Sequence, residues 1–592
     1  MEFQQSNYNK FPEVKIPGYT GFFGWDPICN EIRSRLSENA SKKIMIVLEC
    51  YHGVMSNVMI AQLKQRLKDV RFVNAEEALL ETQVINEKFS SYITDDPVFG
   101  YITPLSIRNF YDDNKLKILK DVLADSQDAV TCVFGTGASI IAPKADLLLY
   151  ADMPRWEVQL RFRRQEVGNL GAANTGDSFA RLYKRAFFVD WRVCDRLKRD
   201  VLPLADYVID TTVNDEPKMI SGDVLQNALR MVGKQPFRVV PFFDPGPWGG
   251  QWLKKVCDLD RSSPNYAWAF DCVPEENSLL LRFDDLLFET PSINVVFFQT
   301  ETLLGKLVMD NFGAEFPIRF DFLDTMQGGN LSLQVHPLKG YIKKHFGMEY
   351  TQDESYYMMD ARPGAVVYLG LKENVQPDLM MADLKKAQVG EGDFEADTYV
   401  QTWPVKKHDH VLIPAGTVHC SGTNGVVLEI SATPYIFTFK LWDWGRMGLD
   451  GKPRPISLEH GKNNIQWDRT TNWTQKNLLN RTSQIAEGEG WIEERTGLHD
   501  HFFIETRRHW FTKKVMHHTN DVVNVINLVE GREIIVESPT NQFEPFIVHY
   551  AETFIVPAAV GDYTIRPHGE SEGMRCATLK AFVNVKNLPQ AS

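Results

Sequence analysis

The stretch LSLQVHP, residues 331–337, alternates apolar and polar side chains and reads as a β-strand. Residues two apart on a strand project from one face, so Gln334 and His336 point together, bringing an amide oxygen beside an imidazole nitrogen. Further on, DESYYMMDARPG places Glu354 at the head of another strand, and IPAGTVHC, residues 413–420, carries a P-x-G-x-x-H stretch that ends at His419. Mixed nitrogen and oxygen donors of this kind suit Zn2+ and similar divalent ions and leave room for a substrate oxygen. A lone histidine beside a strand is more often an ordinary residue than a ligand. Here four candidate ligands fall at spacings that fit one small β-barrel, and that favours the metal.

This spacing is the cupin pattern, in which a first motif supplies two ligands and a Glu and a second supplies P-x-G-x-x-H. From about residue 236 to 590 the chain resembles class I mannose-6-phosphate isomerase, the zinc-dependent phosphomannose isomerase family. The resemblance is carried in family order by PGPWGGQWLKK (245–255), FPIRFDFLDTMQGGNLSLQVHP (316–337), DESYYMMDARPGAVVYLGLKE (353–373), VKKHDHVLIPAGTVHCSGTNGVVLEI (405–430) and TFKLWDWGRMGLDGKPRPISLEHG (438–461). It implies that Gln334, His336, Glu354 and His419 hold one Zn2+ per chain. It also implies a small-molecule sugar phosphate as substrate, with mannose 6-phosphate and fructose 6-phosphate interconverted through an enediolate. A Lewis acid polarises the carbonyl in such chemistry, and a nearby base relays the proton. Arg446 in WDWGR is the first candidate for substrate binding or charge neutralisation, because a guanidinium fork suits phosphate. The plainer reading is a surface Arg on a loop. Lys452 and Arg454 are weaker phosphate candidates.

The sequence also departs from that family. Asp321 in FDFLD stands where the family block usually has a Lys, which alters phosphate handling or the proton relay. Arg319, two residues away on the same strand face, is the candidate to compensate, so both join the catalytic candidates. His408 takes the place of a Gly in the second motif and predicts a changed turn.

The elements that must position these residues have two textures. From 28 to 215 strand and helix alternate: KKIMIVLE (42–49), DAVTCVFG (128–135) and KADLLLYADM (144–153) read as buried strands, and NVMIAQLKQRLKDV (57–70) as a helix. That predicts a parallel sheet with crossover helices. From 236 onward short β-rich stretches, SINVVFFQTE, GAVVYLGLK, HVLIPAGTV, VVLEISAT, DVVNVINLVEG and TFIVPAAVGDYTIRPHG among them, are separated by turn residues. Helical patches remain at 301–313 and 337–347. The polar stretch from about 450 to 490 reads as a bridge to a second barrel. In that barrel Ala559 and Asp562 fall where P-x-G-x-x-H would have Gly and His, so it is read as a metal-free partner.

The expected organisation is a multidomain α/β plus mainly-β chain. It comprises an extension (1–27), an α/β domain (28–215), a metal-binding cupin domain (236–460) and a second, metal-free cupin-like domain (490–590). The α/β domain resembles uridine-kinase-like and other P-loop nucleoside kinases in its strand–helix order. A phosphate loop needs G-x-x-x-x-G-K-[ST]. Gly53 can stand for the second Gly, but Leu48 replaces the first, and Val54 and Met55 replace the Lys and Ser/Thr. A degenerate, non-phosphorylating kinase-like domain follows. FGTGAS (134–139) is a further Gly-rich turn. The basic run Arg155, Arg161, Arg163, Arg164, Lys184, Arg185, Arg192, Arg196, Lys198 and Arg199 is similar to a kinase lid, or is a solvated helix face.

Composition sets the outer bounds. The 592 residues are 43% hydrophobic and 24% charged, as in ordinary globular protein. The formal charge of −13 invites no nucleic acid, and an anionic substrate needs local Lys and Arg. Eight scattered cysteines without a C-x-x-C pair form no disulfide framework and fit a reducing compartment. No signal peptide and no long apolar span are visible, so the expected address is the cytoplasm, with no membrane partner. Two rivals remain beside the isomerase: a non-catalytic metal- and sugar-phosphate-binding sensor, and a bifunctional sugar kinase–isomerase.

Overall fold

The computed structural model describes residues 5–38, 43–432, 436–447, 454, 456–497 and 502–588. The chain forms two compact units interleaved in sequence. Residues 13–232 with 275–298 make an α/β unit, and residues 1–12, 233–274 and 299–592 make a β-rich unit.

The α/β unit is built on a seven-stranded sheet ordered Phe22–Phe23, Lys218–Ser221, Tyr207–Asp210, Leu147–Asp152, Ile44–Cys50, Val130–Gly135, Val70–Asn74. The last five run parallel, and Lys218–Ser221 pairs antiparallel at one side. Taken in chain order these parallel strands lie 2-3-1-4-5. Their apolar runs are continuous because helices cover parallel sheets on both faces, and Ile44–Cys50 is buried along almost all of its length. The predicted helix forms as Ser56–Arg66. Asp112 caps the helix Asp113–Ala124 by accepting from the backbone N–H groups of Asn114 and Lys115. The strand Glu13–Lys15 pairs in parallel with Ser278–Arg282, so residues 13–27 belong to this unit rather than to a free extension.

One expected strand is a helix. SINVVFFQTE folds as Ile293–Phe298, because a short apolar run does not distinguish a strand from a buried helix by periodicity. Asn294 anchors it, donating to Asp152 at 3.0 Å and to Thr290 at 2.9 Å.

The β-rich unit contains two pairs of sheets. In the first pair the six-stranded sheet runs His410–Ile413, Glu354–Ala361, Gly425–Ala432, Ile318–Asp324, Trp268–Cys272, Phe242–Asp244. Its five-stranded mate runs Val400–Pro404, Val366–Leu371, His419–Ser421, Leu333–Val335, Phe439–Trp442. The second pair joins a six-stranded sheet, Ser483–Gly488 to Thr553–Val556, to a four-stranded one that includes Val515–His518 and Asp562–Pro567. Its core holds Phe511, Ile526, Leu528, Phe554, Tyr563 and Ile565. The helical patch at 301–313 breaks into Thr300–Leu304 and Lys306–Phe312 at Gly305. This glycine has φ +85°, and a Cβ there would lie 1.9 Å from the Asp521 carbonyl oxygen, so only Gly fits. All eight cysteines are free and buried. Among the described residues no helix is long and apolar enough to cross a membrane.

Candidate metal centre

Gln334 and His419 are register partners on adjacent antiparallel strands, and Glu354 opens a strand of the facing sheet between Ile413 and Ser431. The turn of IPAGTVHC sets His419 in place. Gly416 has φ +88° and donates its N–H to the His336 carbonyl at 3.0 Å, and a Cβ would meet Gln466 at 2.7 Å. Thr417 closes the turn by donating N–H and Oγ1 to the Pro414 carbonyl, at 3.1 and 2.7 Å.

The four side chains converge. Nε2 of His336 lies 3.1 Å from Glu354 Oε2, and Nε2 of His419 lies 2.8 Å from Glu354 Oε1. The Gln334 amide is 3.2 Å from His419 Nε2. All four are buried, with both histidines fully so. The donor atoms of His336, Glu354 and His419 lie within 4.8 Å of one another, the one such trio among the described residues.

Proton placement tests whether the donors fit a cation. His336 Nδ1 donates to the Phe437 carbonyl at 3.1 Å, and His419 Nδ1 donates to the Thr417 carbonyl at 2.8 Å. Backbone acceptors at Nδ1 fix the tautomer that frees Nε2 for a metal. Each Nε2 lone pair then faces a carboxylate oxygen, and His336 Nε2 and Glu354 Oε1 are buried without a hydrogen-bond partner. A cation relieves a buried arrangement of lone pair against lone pair, and turning the Gln334 amide over makes its oxygen the fourth donor. The residues fit a divalent ion.

Beside Glu354 lies a second buried cluster. Arg319 contacts Asp321 at 3.1 Å, Ser431 Oγ at 3.1 Å and, more closely, Glu429. Gln352 donates to Glu354 at 2.9 Å and reaches Glu429 at 3.5 Å. Burial pushes Asp321 up to about 6 against the pull of Arg319, with Glu354 adding to the rise. Burial, Asp321 and Glu354 carry Glu429 well above the usual carboxylate range. Arg319 is therefore committed to two carboxyl groups and is not a substitute cation free for substrate.

Arg446 is tied down as well. It contacts Asp443 at 2.8 Å and the Asn330 carbonyl, while Arg454 holds the other oxygen of Asp443 at 3.0 Å. Lys452 lies outside the described residues. The side chain missed in the sequence is Lys440. It pairs with Gln334 across adjacent strands, and directly opposed residues share a face. Phe439 and Leu441 turn the other way, toward His460 and Gly461, leaving Lys440 on the wall of the metal ligands. Burial lowers its pKa, with Arg454 and Arg446 adding to the effect. The alternation in FKLW was the available signal.

His408 has φ +72°, in the left-handed region that glycine adopts most readily. Its N–H donates to the Met358 carbonyl at 2.8 Å, and its ring meets Tyr357 Oη at 2.9 Å and Glu530 at 3.1 Å. These three contacts hold the left-handed backbone.

In the α/β unit, Gly53 (φ +94°) serves close packing. A Cβ would come within 2.8 Å of Val158, and its carbonyl accepts from Arg161 at 2.9 Å. The basic run is largely paired within the unit, with Arg163, Arg164 and Arg199 exposed. Arg155 pairs with Asp195, Lys198 with Asp152, Arg185 with Asp190 and Arg164 with Glu157. Lys184 and Arg196 bond the carbonyls of Thr94 and Leu105, and Arg192 bonds that of Phe187. Arg163 and Arg199 lie over the rings of Trp156 and Phe297.

Residues 24–234 match a family described as a domain of unknown function, DUF8485. The chain is 25% identical over 214 residues to the mannose-6-phosphate isomerase of Streptococcus mutans, a stretch covering 36% of this chain and 62% of that protein. It is 25% identical over 229 residues to mannose-6-phosphate isomerase ManA of Bacillus subtilis, covering 38% of this chain and 66% of that one. The match thus spans just under two thirds of the length of these relatives. Among solved structures, the mannose 6-phosphate isomerase from Bacillus subtilis aligns over 59% of this chain and 99% of that one, at TM-score 0.48 and 16% identity. Part of the chain is related in sequence to mannose-6-phosphate isomerases.

Proposed function

We propose that the β-rich unit is a zinc-dependent aldose–ketose isomerase of hexose 6-phosphates, interconverting mannose 6-phosphate and fructose 6-phosphate. The observation that carries this reading is the convergence of His336, Glu354 and His419 with Gln334, in a chain related to mannose-6-phosphate isomerases. When bound, a divalent ion would polarise the sugar carbonyl and stabilise the charge developing on its oxygen. Gln334, His336, Glu354 and His419 hold that ion. The cation that meets the phosphate is Lys440, supported by Arg446 and Arg454 around Asp443, a local positive patch in a chain of net charge −13. Asp321 and Glu429, sharing Arg319, are the candidates to take the proton from C2 and return it at C1. Burial raises the proton affinity of both carboxyl groups. The protein is assigned to the cytoplasm on its free cysteines.

One observation favours the sensor reading. Arg319 is locked in its cluster and Asp443 takes up part of the positive charge. Proton exchange at C2 of mannose 6-phosphate separates the two. The isomerase exchanges that proton with solvent only when metal is present, whereas a sensor binds the sugar phosphate without exchange.

A further inference from the structure

The second pair of sheets repeats the first strand for strand. In chain order its ten strands, Ser483–Gly488 to Cys576–Val583, pair as do ten of the eleven strands around the metal centre. Register fixes which residues correspond. Asn524 pairs with Val556, just before Pro557, as Glu354 pairs with Ile413, just before Pro414. Asn524 thus holds the place of Glu354. The turn that follows is one residue longer than in the first barrel, so Tyr563 faces the core in the place of His419, and Asp562 is exposed. Tyr563 Oη donates to Asn524 Oδ1 at 2.9 Å, where His419 meets Glu354 at 2.8 Å. His517 stands opposite Tyr563 as Gln334 stands opposite His419.

The charges beside this site are inverted. In the first barrel Asp321 is opposite Glu429, with Arg319 two residues back; in the second Arg507 is opposite Lys580, with Glu505 two residues back. Lys580 also stands directly opposite the core residue Ile526, which turns its side chain into the barrel. It is 6% exposed, and among the described residues its ammonium has no hydrogen bond or ion pair, only the ring of Phe582 at 5.7 Å. The neighbouring carboxylates are already matched. Arg507 holds Glu505 at 2.8 Å and Glu493 at 3.1 Å, and His509 holds Glu493 at 3.1 Å. Burial pushes the Lys580 pKa down to about 8, although Glu493 pulls the other way. A buried ammonium without a counter-charge is costly. Where the first barrel turns carboxyl groups inward toward a cation, the second turns a cation inward and supplies no anion for it.

We propose that the second barrel binds a small organic anion at the place equivalent to the metal centre, with carboxylate or phosphate oxygens accepting from Lys580 Nζ. This does not depend on the isomerase reading. The full chain is titrated calorimetrically in low-chloride buffer with orthophosphate, gluconate and mannose 6-phosphate, and with mannose as the uncharged control. The responding arm tells a carboxylate from a phosphate.

At least one anion should bind in a step that Lys580→Met weakens about tenfold to a hundredfold, the range for a hydrogen bond to a charged group. Lys440→Met should leave that step intact, which separates it from any phosphate held beside the metal ligands. Lys580→Arg keeps the charge and should keep most of the binding. A second readout is stability. The same anion should raise the denaturant midpoint of the wild type and not that of Lys580→Met, because only a bound ligand stabilises the folded chain. Without anion, Lys580→Met should be at least as stable as the wild type, since the lysine has no partner to lose. No anion binding beyond that of mannose, binding unchanged in Lys580→Met, or a Lys580→Met chain less stable than the wild type without anion would overturn the proposal.

Discussion

Lys440 lies opposite Gln334 across adjacent antiparallel strands, so an ammonium group shares one barrel wall with an amide that faces the histidine pair. The two residues are distant in sequence, and only the register of the strands brings them together. If Lys440 holds the substrate phosphate, Lys440→Met should raise KM for mannose 6-phosphate about tenfold to a hundredfold, the range for a lost hydrogen bond to a charged group. Metal content should stay at the wild-type level, and Lys440→Arg should recover part of the loss. Steady-state kinetics beside elemental analysis gives the answer. An unchanged KM in Lys440→Met would move the phosphate elsewhere.

Three of the converging residues were legible from short local patterns: strand alternation for Gln334 and His336, and a glycine turn for His419. Lys440 was not, because a lone Lys in FKLW reveals its face only once Phe439 and Leu441 are seen to pack outward. The charges of the 155–199 run were equally visible, but their partners are carbonyls, rings and carboxylates, some within the run and some on distant segments. No spacing rule predicts that an Arg such as Arg161 bonds the backbone of Gly53 and Thr211. The return of residues 275–298 to the α/β unit was hidden for a similar reason. The apolar run at 293–298 looks like one more strand of the β-rich half.

A buried cation of the β-rich unit gives a stability prediction. Arg238 is 2% exposed and lies 2.8 Å from Glu552 and 3.6 Å from Asp271, which also accepts from Tyr8 Oη and from the N–H of Thr553. Arg238→Met would leave two buried carboxylates without their counter-charge. Breaking a buried pair from one side costs about 3–5 kcal/mol. The denaturant midpoint of the variant should fall accordingly, and a shift worth under about 1 kcal/mol would show that these carboxylates find other partners.

A pH signature follows from His410, which is 1% exposed and packs edge-on against Tyr357. Burial, with Arg508 nearby, pushes its pKa down to about 3, while an unfolded histidine titrates near 6.5. A depressed base contributes its full share of stability above about 6.5 and loses it as pH falls toward about 3, because only the unfolded chain takes up the proton. His410→Phe removes this term. Between pH 7 and 4.5 the variant should gain on the wild type by about 2–3 kcal/mol, read from denaturant curves at the two pH values. Parallel curves would mean that His410 takes up its proton in the folded state.

The most direct test of the account is isomerase turnover set against metal content. The full chain is assayed with mannose 6-phosphate as purified, after chelation, and after return of Zn2+, with His336→Ala and His419→Ala alongside. The account predicts about one ion per chain, turnover lost on chelation and restored by zinc, and both variants folded but inactive with little bound metal. Wild-type turnover in the chelated, metal-free chain, or in either variant, would contradict it.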